Sequence, residues 1–375
     1  MPSHLIDKDT WEKVLYFIAL NDTPPPYLLL NRDVVINKIK QIGTGISGSK
    51  VFYAVKANPD IEILRFLADM DIGFEIASEG ELELLKSLSV SADRIITSNP
   101  VKTFKFLVSA RDYGIRYYAF DSYPEVDKLA RYVPNCLVYV RLSVPNEGSE
   151  WPLSKKFGVE IDDAISLLVY AQKMGLCPVG VTFHVGSQCN NAYNWHSAIE
   201  KTRELWDLAR QKGIELKMIN IGGGYPIRYT RDVIDIPTIE KRIAQSIRQK
   251  FPDGVDVFIE PGRAVVGDAG VFVTTVIGKA LRGDENWLYI DVGVFNGLME
   301  SIGGIKYSYV VGSRNPTKKW TIAGPSCDSF DVIDRDVELP EPEVGNRMLI
   351  LSSGAYTISY ASEFNGFSIP KTIII

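Results

Sequence analysis

The sequence predicts an α/β protein, a (β/α)8 TIM-like barrel followed by a mostly antiparallel β domain. Three observations carry that expectation. Short β-branched or aromatic runs alternate with helical stretches, which signals a parallel sheet, and about eight of them occur, the number that closes a barrel. Nearly every run ends in polar or glycine residues, where a barrel keeps its reactive groups. After about Gly267 the rhythm changes to strands set off by Gly and Pro turns, without long helices between them.

Taken in order, Met1 to Asn21 reads as an amphipathic lead-in helix that Thr23-Pro24-Pro25-Pro26 breaks. Tyr27-Leu28-Leu29-Leu30 reads as a short buried strand, and Asn31-Arg32-Asp33 can cap a helix that runs to about Ile42. Gly43-Thr44-Gly45-Ile46-Ser47-Gly48 is formally GxGxxG. A dinucleotide site needs a strand before it and a helix after it. Here the order is reversed, so the stretch is a turn. The barrel strands are expected at Val51–Val55, Gly73–Ile76, Arg94–Thr97, Arg116–Phe120, Leu137–Leu142, Val179–Phe183, Lys217–Ile221 and Val255–Ile259. Helices between them include Ile61–Met70, Glu79–Leu88, Ala164–Met174 and Trp195–Lys212. Pro145 to Gly158 is an excursion, expected as a loop over the barrel mouth. Val271–Ile277, Trp287–Asp291, Trp320–Ala323 and Arg347–Leu351 are the strands of the second domain. The barrel is therefore drawn at 27–267, with 1–26 and 268–375 forming the β domain, which the strand near Tyr27 is also a candidate to join.

Composition narrows the function. The 375 residues carry a net charge of only −5 and no long Lys/Arg run, which argues against nucleic acid. No stretch approaches about 18 apolar residues, and the start lacks the marks of a signal peptide, so no membrane span and a cytoplasmic location are expected. Cys136, Cys177, Cys189 and Cys327 are scattered without a CxxC pair, as fits reduced thiols. Three histidines without HExxH spacing argue against a metal hydrolase.

The strand ends carry Lys56, Glu75, Ser98-Asn99, Asp121, Arg141, His184 to Ser187, Gly222-Gly223-Gly224 and Glu260 to Arg263. Lys56 taken alone reads first as a solvent lysine where a strand leaves the core, and only its company reverses that reading. A strand-end amine in the right surroundings has a lowered pKa and can form a Schiff base. The glycine triplet taken alone is equally a tight turn, but glycines after a strand also let backbone N–H groups approach an anion. Arg263 at the next strand end can add a fork, and Ser187 a hydroxyl, to the same anion. A lysine, a phosphate grip, a carboxylate at Glu260 and an imidazole at His184 together suggest pyridoxal 5'-phosphate, with Glu260 placed to keep the ring nitrogen protonated. His184 is otherwise a satisfied core histidine.

These residues stand in stretches that resemble a known family. Phe52-Tyr53-Ala54-Val55-Lys56-Ala57-Asn58, Phe183-His184-Val185-Gly186-Ser187, Gly222-Gly223-Gly224-Tyr225-Pro226, Glu260-Pro261-Gly262-Arg263, Gly324-Pro325-Ser326-Cys327-Asp328 and Gly354-Ala355-Tyr356 follow in the order found in fold-type III pyridoxal phosphate decarboxylases. That group holds the ornithine, lysine, arginine and diaminopimelate decarboxylases and shares its barrel with alanine racemase. The resemblance spans about Tyr27 to Phe367. It implies that Lys56 holds the cofactor, His184 stacks on its ring and Glu260 pairs with its nitrogen. It assigns Ser187, Gly223, Gly224, Arg263 and Tyr356 to the phosphate, and places Glu75 and Arg141 along the cofactor. Cys327 matches the residue that returns a proton after carbon dioxide leaves, and Asp328 the carboxylate that receives the substrate's distal cation. Both reach in from a second subunit in this family, so a homodimer with shared active sites is implied, bridged by a pair that Lys156 and Asp331 match.

Cys327-Asp328-Ser329-Phe330-Asp331 resembles the ornithine-type branch, and a carboxylate there favours a cationic substrate. The short stretch Gly293 to Glu300 is similar to that of compact bacterial lysine/ornithine decarboxylases and a viral arginine decarboxylase. Glu300 and Tyr356 are accordingly expected near the substrate. Ornithine, lysine and arginine follow in that order of expectation. A racemase would keep an arginine at the ring nitrogen, which Glu260 contradicts. A catalytically inactive regulatory homologue that binds a protein partner is the rival from another class; such proteins commonly lose the cofactor lysine or the phosphate ligands, and this chain keeps both.

Overall fold

The computed structural model describes residues 5–151 and 156–375. The chain divides into two compact units, a barrel unit of residues 39–226 and 234–262, and a β unit of residues 1–38, 227–233 and 263–375.

In the barrel unit eight parallel strands close on themselves: Ser49–Ala54, Gly73–Glu75, Ile95–Thr97, Tyr117–Phe120, Leu137–Arg141, Cys177–Thr182, Met218–Asn220 and Asp256–Ile259, the last pairing with the first. Each overlaps a run expected from the sequence. The helices between them start on short polar caps. Ser78, Thr103 and Asp235 accept the backbone N–H of Glu81, Phe106 and Thr238, so each satisfies a donor that the first helical turn leaves open. The GxGxxG stretch is a turn between the helix Arg32–Gln41 and the first barrel strand. Buried Glu240 closes it, accepting the N–H of Gly43 at 2.6 Å and of Gly45 at 2.9 Å. The excursion after Leu142 is more than a loop. Its segment Ser149–Trp151 pairs antiparallel with Ser187–Cys189, while 152–155 lie outside the described residues.

Alternation along the strands decides what fills the barrel. Phe52, Ile96, Ala119, Tyr139, Met218 and Phe258, from six different strands, form one buried cluster. The rings of Phe52 and Phe258 lie 4.7 Å apart. Burying such a side chain is worth roughly 1.5–3 kcal/mol. A one-residue slip would turn these rings outward, so the register is fixed. Two residues further along the same strands stand Ala54, Ser98, Asp121, Arg141, Asn220 and Glu260. The apolar core therefore carries a polar layer on its carboxyl-terminal side, and Lys56 follows Ala54 by the same step.

The β unit runs in the spatial order Ser308–Val311, Arg347–Leu351, Gly270–Arg282, Glu285–Ile290, Thr317–Ala323 and Val332–Pro340. Most pairs are antiparallel, but Glu285–Ile290 runs parallel to Thr317–Ala323. The amino-terminal boundary differs from the expected one. Tyr27–Leu30 pairs with Gly270–Arg282 and with the carboxyl-terminal strand Lys371–Ile374, so it belongs to the β unit, not to the barrel. The helix Lys8–Leu20, capped by Asp7, packs there too: Val14 joins Tyr27, Leu29, Val271, Val273, Leu349 and Leu351 in one cluster. Among the described residues no helix is long and apolar enough to cross a membrane.

Candidate active site

The polar layer of the barrel unit brings the expected residues together. Lys56 sits in the single turn Val55–Ala57 that ends the strand Ser49–Ala54. Its ammonium lies 3.3 Å from Glu75, and its side chain is half exposed while that of Glu75 is buried. Glu260 is buried below the barrel rim. Asn220 donates to its Oε1 at 2.5 Å, and Ser98 bonds the same oxygen. Burial pushes the Glu260 carboxyl up to about 7, with the negative charge of Glu75 adding to the effect. Arg141 faces this group with its positive charge, and burial lowers its own pKa. The guanidinium of Arg141 also covers the Phe157 ring at 5.5 Å.

His184 follows the strand Cys177–Thr182. Its Nδ1 accepts the N–H of Gly186 at 3.0 Å, which puts the proton of the neutral ring on Nε2. Burial holds its pKa well below the imidazole range, helped by the charges of Arg141 and Lys56, so the ring is neutral near pH 7. The glycine triplet lies against it. A Cβ at Gly223 would meet the Glu260 carbonyl oxygen at 2.4 Å, and one at Gly224, where φ is +93°, would meet the Gly186 oxygen at 2.5 Å. Only glycine lets the backbone pass this close, and the turn keeps room on its open side. Ser187 opens the small ribbon that Ser149–Trp151 completes.

Glu81 has no expected role in the sequence, yet it belongs to this set. It reads as the second half of a capping box, Ser78-x-x-Glu81. In the structure it accepts the N–H of Ala77 at 2.6 Å, and burial together with the charge of Glu75 pushes it up to about 7. Three carboxyls thus surround one lysine amine. Burial, with the charge of Glu75 adding to it, raises the proton affinity of Glu81 and Glu260, a feature concentrated at functional sites.

The β unit holds a second group. Arg263, buried on the short helix Arg263–Val266, meets both oxygens of buried Glu300, at 2.7 and 2.6 Å. It also donates to the Tyr229 hydroxyl at 2.5 Å and covers the Tyr356 ring at 4.8 Å. Tyr356 holds a positive φ of 54°, a strained conformation for a tyrosine that surrounding structure must enforce. Glu300, expected at the substrate's distal cation, is bound instead to a cation of its own chain. Removing one partner of such a buried pair commonly costs about 3–5 kcal/mol, because the other charge is left uncompensated.

Cys327 and Asp328 stand on a turn of the β unit, Cys327 exposed and Asp328 half-buried. Asp328 Oδ1 accepts the N–H of Phe330 at 2.8 Å. Asp331, expected with Lys156 to bridge subunits, is tied to its own chain. It is buried, and its oxygens accept the N–H groups of Val294 at 2.8 Å and Ser326 at 2.9 Å, which ties the turn to the Gly293 loop. Lys156 is exposed over the Phe157 ring.

A primary amine, a buried carboxyl that titrates near neutrality, a neutral imidazole and a side-chain-free turn fit a phosphorylated pyridine aldehyde. No cluster of metal-ligating side chains occurs among the described residues. Comparison with known proteins points the same way. Residues 32–267 match the family described as "Pyridoxal-dependent decarboxylase, pyridoxal binding domain". The chain is 37% identical to the lysine/ornithine decarboxylase of Selenomonas ruminantium, over 94% of this chain and 90% of that one. The crystal structure of the lysine/ornithine decarboxylase from Vibrio vulnificus, complexed with cadaverine, superposes with a TM-score of 0.90 at 29% identity, covering 99% of this chain and 100% of that one. The arginine decarboxylase of Paramecium bursaria Chlorella virus, bound to agmatine, gives 0.91 at 28% identity, over 97% and 100%.

Proposed function

The chain belongs to the pyridoxal-dependent decarboxylases, and from that premise we propose that it removes the α-carboxylate of a basic L-amino acid, ornithine first and lysine next, with arginine as the alternative. Pyridoxal phosphate is its cofactor. When bound, that group supplies a ring that accepts the electron pair left as carbon dioxide departs. The observation that carries the reading is the half-exposed Lys56 amine beside the buried Glu75–Glu260 layer at the strand ends.

In this reading Lys56 offers the amine that holds the cofactor. Neutral His184 would pack against the cofactor without adding charge. Glu260 holds a proton at the ring nitrogen, and its raised proton affinity suits that task. Glu75 orients Lys56, and Arg141 balances the carboxyls. Ser187, Gly223 and Gly224 hold the phosphate by hydroxyl and N–H donors. Cys327 returns the proton to the carbon that lost its carboxylate. Glu300 is committed to Arg263, so Asp328 is left to receive the distal cation of the substrate.

The exposure of the Cys327-Asp328 turn supports a homodimer in which each subunit completes the other's site. One experiment tests both assignments. Asp328→Ala should lower kcat/KM for ornithine and lysine by about 10–10²-fold, the scale of one lost charge-assisted hydrogen bond. Mixing it with Lys56→Ala subunits should recover activity, because one site per heterodimer is then intact. Unchanged kcat/KM in the single variant removes Asp328 as the cation's partner. No recovery in verified heterodimers contradicts the shared site.

A further inference from the structure

Glu260 ends a chain of hydroxyl groups that runs down into the barrel core. Ser98 Oγ bonds Glu260 Oε1. Tyr139 Oη lies 2.8 Å from Ser98 Oγ and 3.0 Å from the carbonyl oxygen of Thr97. Asn220 adds a fixed donor: its Oδ1 accepts the N–H of Gly222 at 2.9 Å, so its Nδ2 must point at Glu260. All four side chains are buried, and the Tyr139 ring is itself part of the apolar barrel cluster. The phenol therefore reaches from the core to the floor of the cofactor site.

Counting protons shows what this chain permits. Three links join Glu260 to the Thr97 carbonyl, and Ser98 and Tyr139 supply one proton each. When Glu260 is ionised, Ser98 donates to it and Tyr139 donates to either Ser98 or Thr97. When Glu260 is protonated, its own proton fills the remaining link, and each hydroxyl donates toward Thr97. The chain satisfies both states by turning hydroxyls, with no other movement.

We propose that Ser98 and Tyr139 are positioning residues which, through Glu260, set how firmly a proton is held at the pyridine nitrogen of the bound cofactor. The proposal rests on the reading of Glu260 as the partner of that nitrogen. Other groups face Glu260 as well: Glu75 opposes its ionisation, while Lys56 and Arg141 favour it. His184 is neutral near pH 7 and adds no charge.

The two hydroxyls should act with opposite sign. Ser98→Ala removes a donor to the ionised carboxylate, so the proton is held more tightly. Tyr139→Phe leaves Ser98 with no acceptor but Glu260, which favours the ionised carboxylate and loosens the proton. The test is the ¹⁵N signal of ring-labelled pyridoxal phosphate bound to the protein, followed against pH. The titration midpoint should rise by about one pH unit in Ser98→Ala and fall by a comparable amount in Tyr139→Phe. Ser98→Thr, which keeps the hydroxyl, should restore the wild-type midpoint. If Tyr139→Phe does not hold the cofactor, the Ser98→Ala and Ser98→Thr pair decides alone. Midpoints unchanged in both variants, or moved the same way, overturn the proposal, since a purely structural role gives no opposed signs. Glu260→Gln separates the premise: if it leaves the nitrogen titrating as in wild type, the reading of Glu260 fails and not the relay.

Discussion

Lys56→Ala should abolish the visible absorbance of the cofactor-loaded protein near ~420 nm, the band of a pyridoxal–lysine linkage, and cut turnover by at least about 10³-fold. The reason lies in the geometry of one turn. Lys56 is the first side chain past the strand Ser49–Ala54 that the inward alternation directs to the barrel mouth, and Glu75 steadies its ammonium at 3.3 Å. The neighbouring amines do not replace it. Lys102 is fully buried and donates to the Asn99 and Ala119 carbonyls, with Glu125 beside it. Spectrophotometric titration with the cofactor checks the first effect and an assay of carbon dioxide release the second. A retained band would place the linkage on another residue.

Glu260→Gln should separate activity from stability. The variant keeps the shape of the side chain but cannot hold a proton at the ring nitrogen, so turnover should fall by about 10²–10³-fold. Stability should move the other way. The Glu260 carboxyl is raised from an ordinary 4.5 to about 7. An acid raised in the folded state favours folding while it is protonated, so its contribution is complete below pH 4.5 and is lost as pH rises through about 7. Glutamine carries no such dependence. The cofactor-free variant should therefore be more stable than wild type at pH 8, by on the order of 2–3 kcal/mol, with the difference vanishing near pH 4.5. Urea denaturation at the two pH values measures this. Equal stability at both would mean that Glu260 ionises freely in the folded chain.

The barrel was legible because its signal is local. Each strand is a short apolar run, and the step of two along it leads from the core cluster to a polar end, as from Phe258 to Glu260 and from Phe52 through Ala54 to Lys56. The β unit was less legible because its pairings are distant. Tyr27–Leu30 reads as a strand at once, but nothing near it says that its partners are Val271–Val273 and, at the far end of the chain, Lys371–Ile374. Val332–Pro340 is hard to read from sequence because it is an edge strand with the charges Asp334, Arg335, Asp336 and Glu338, which protect an open edge but hide the apolar pattern.

The site divides in the same way. Motifs pick out Lys56, His184, the glycine triplet and Glu260 one by one. The partner of Glu300 could not be read, because Arg263 lies 37 residues away and only folding makes them a pair. Ser98 reads as a strand end without a task, and Tyr139 carries no signal of its own inside its apolar strand. Both gain meaning only when the closed barrel brings three strands to one carboxyl. Glu81 was concealed by a helix-capping pattern that explains its position without its charge environment.

The most direct test is carbon dioxide release from L-ornithine, L-lysine, L-arginine and meso-diaminopimelate by the purified protein with pyridoxal phosphate. Release from ornithine, with lysine second and the diacid untouched, is the expected result. A yellow protein that releases carbon dioxide from none of them, or from the diacid alone, would contradict the account.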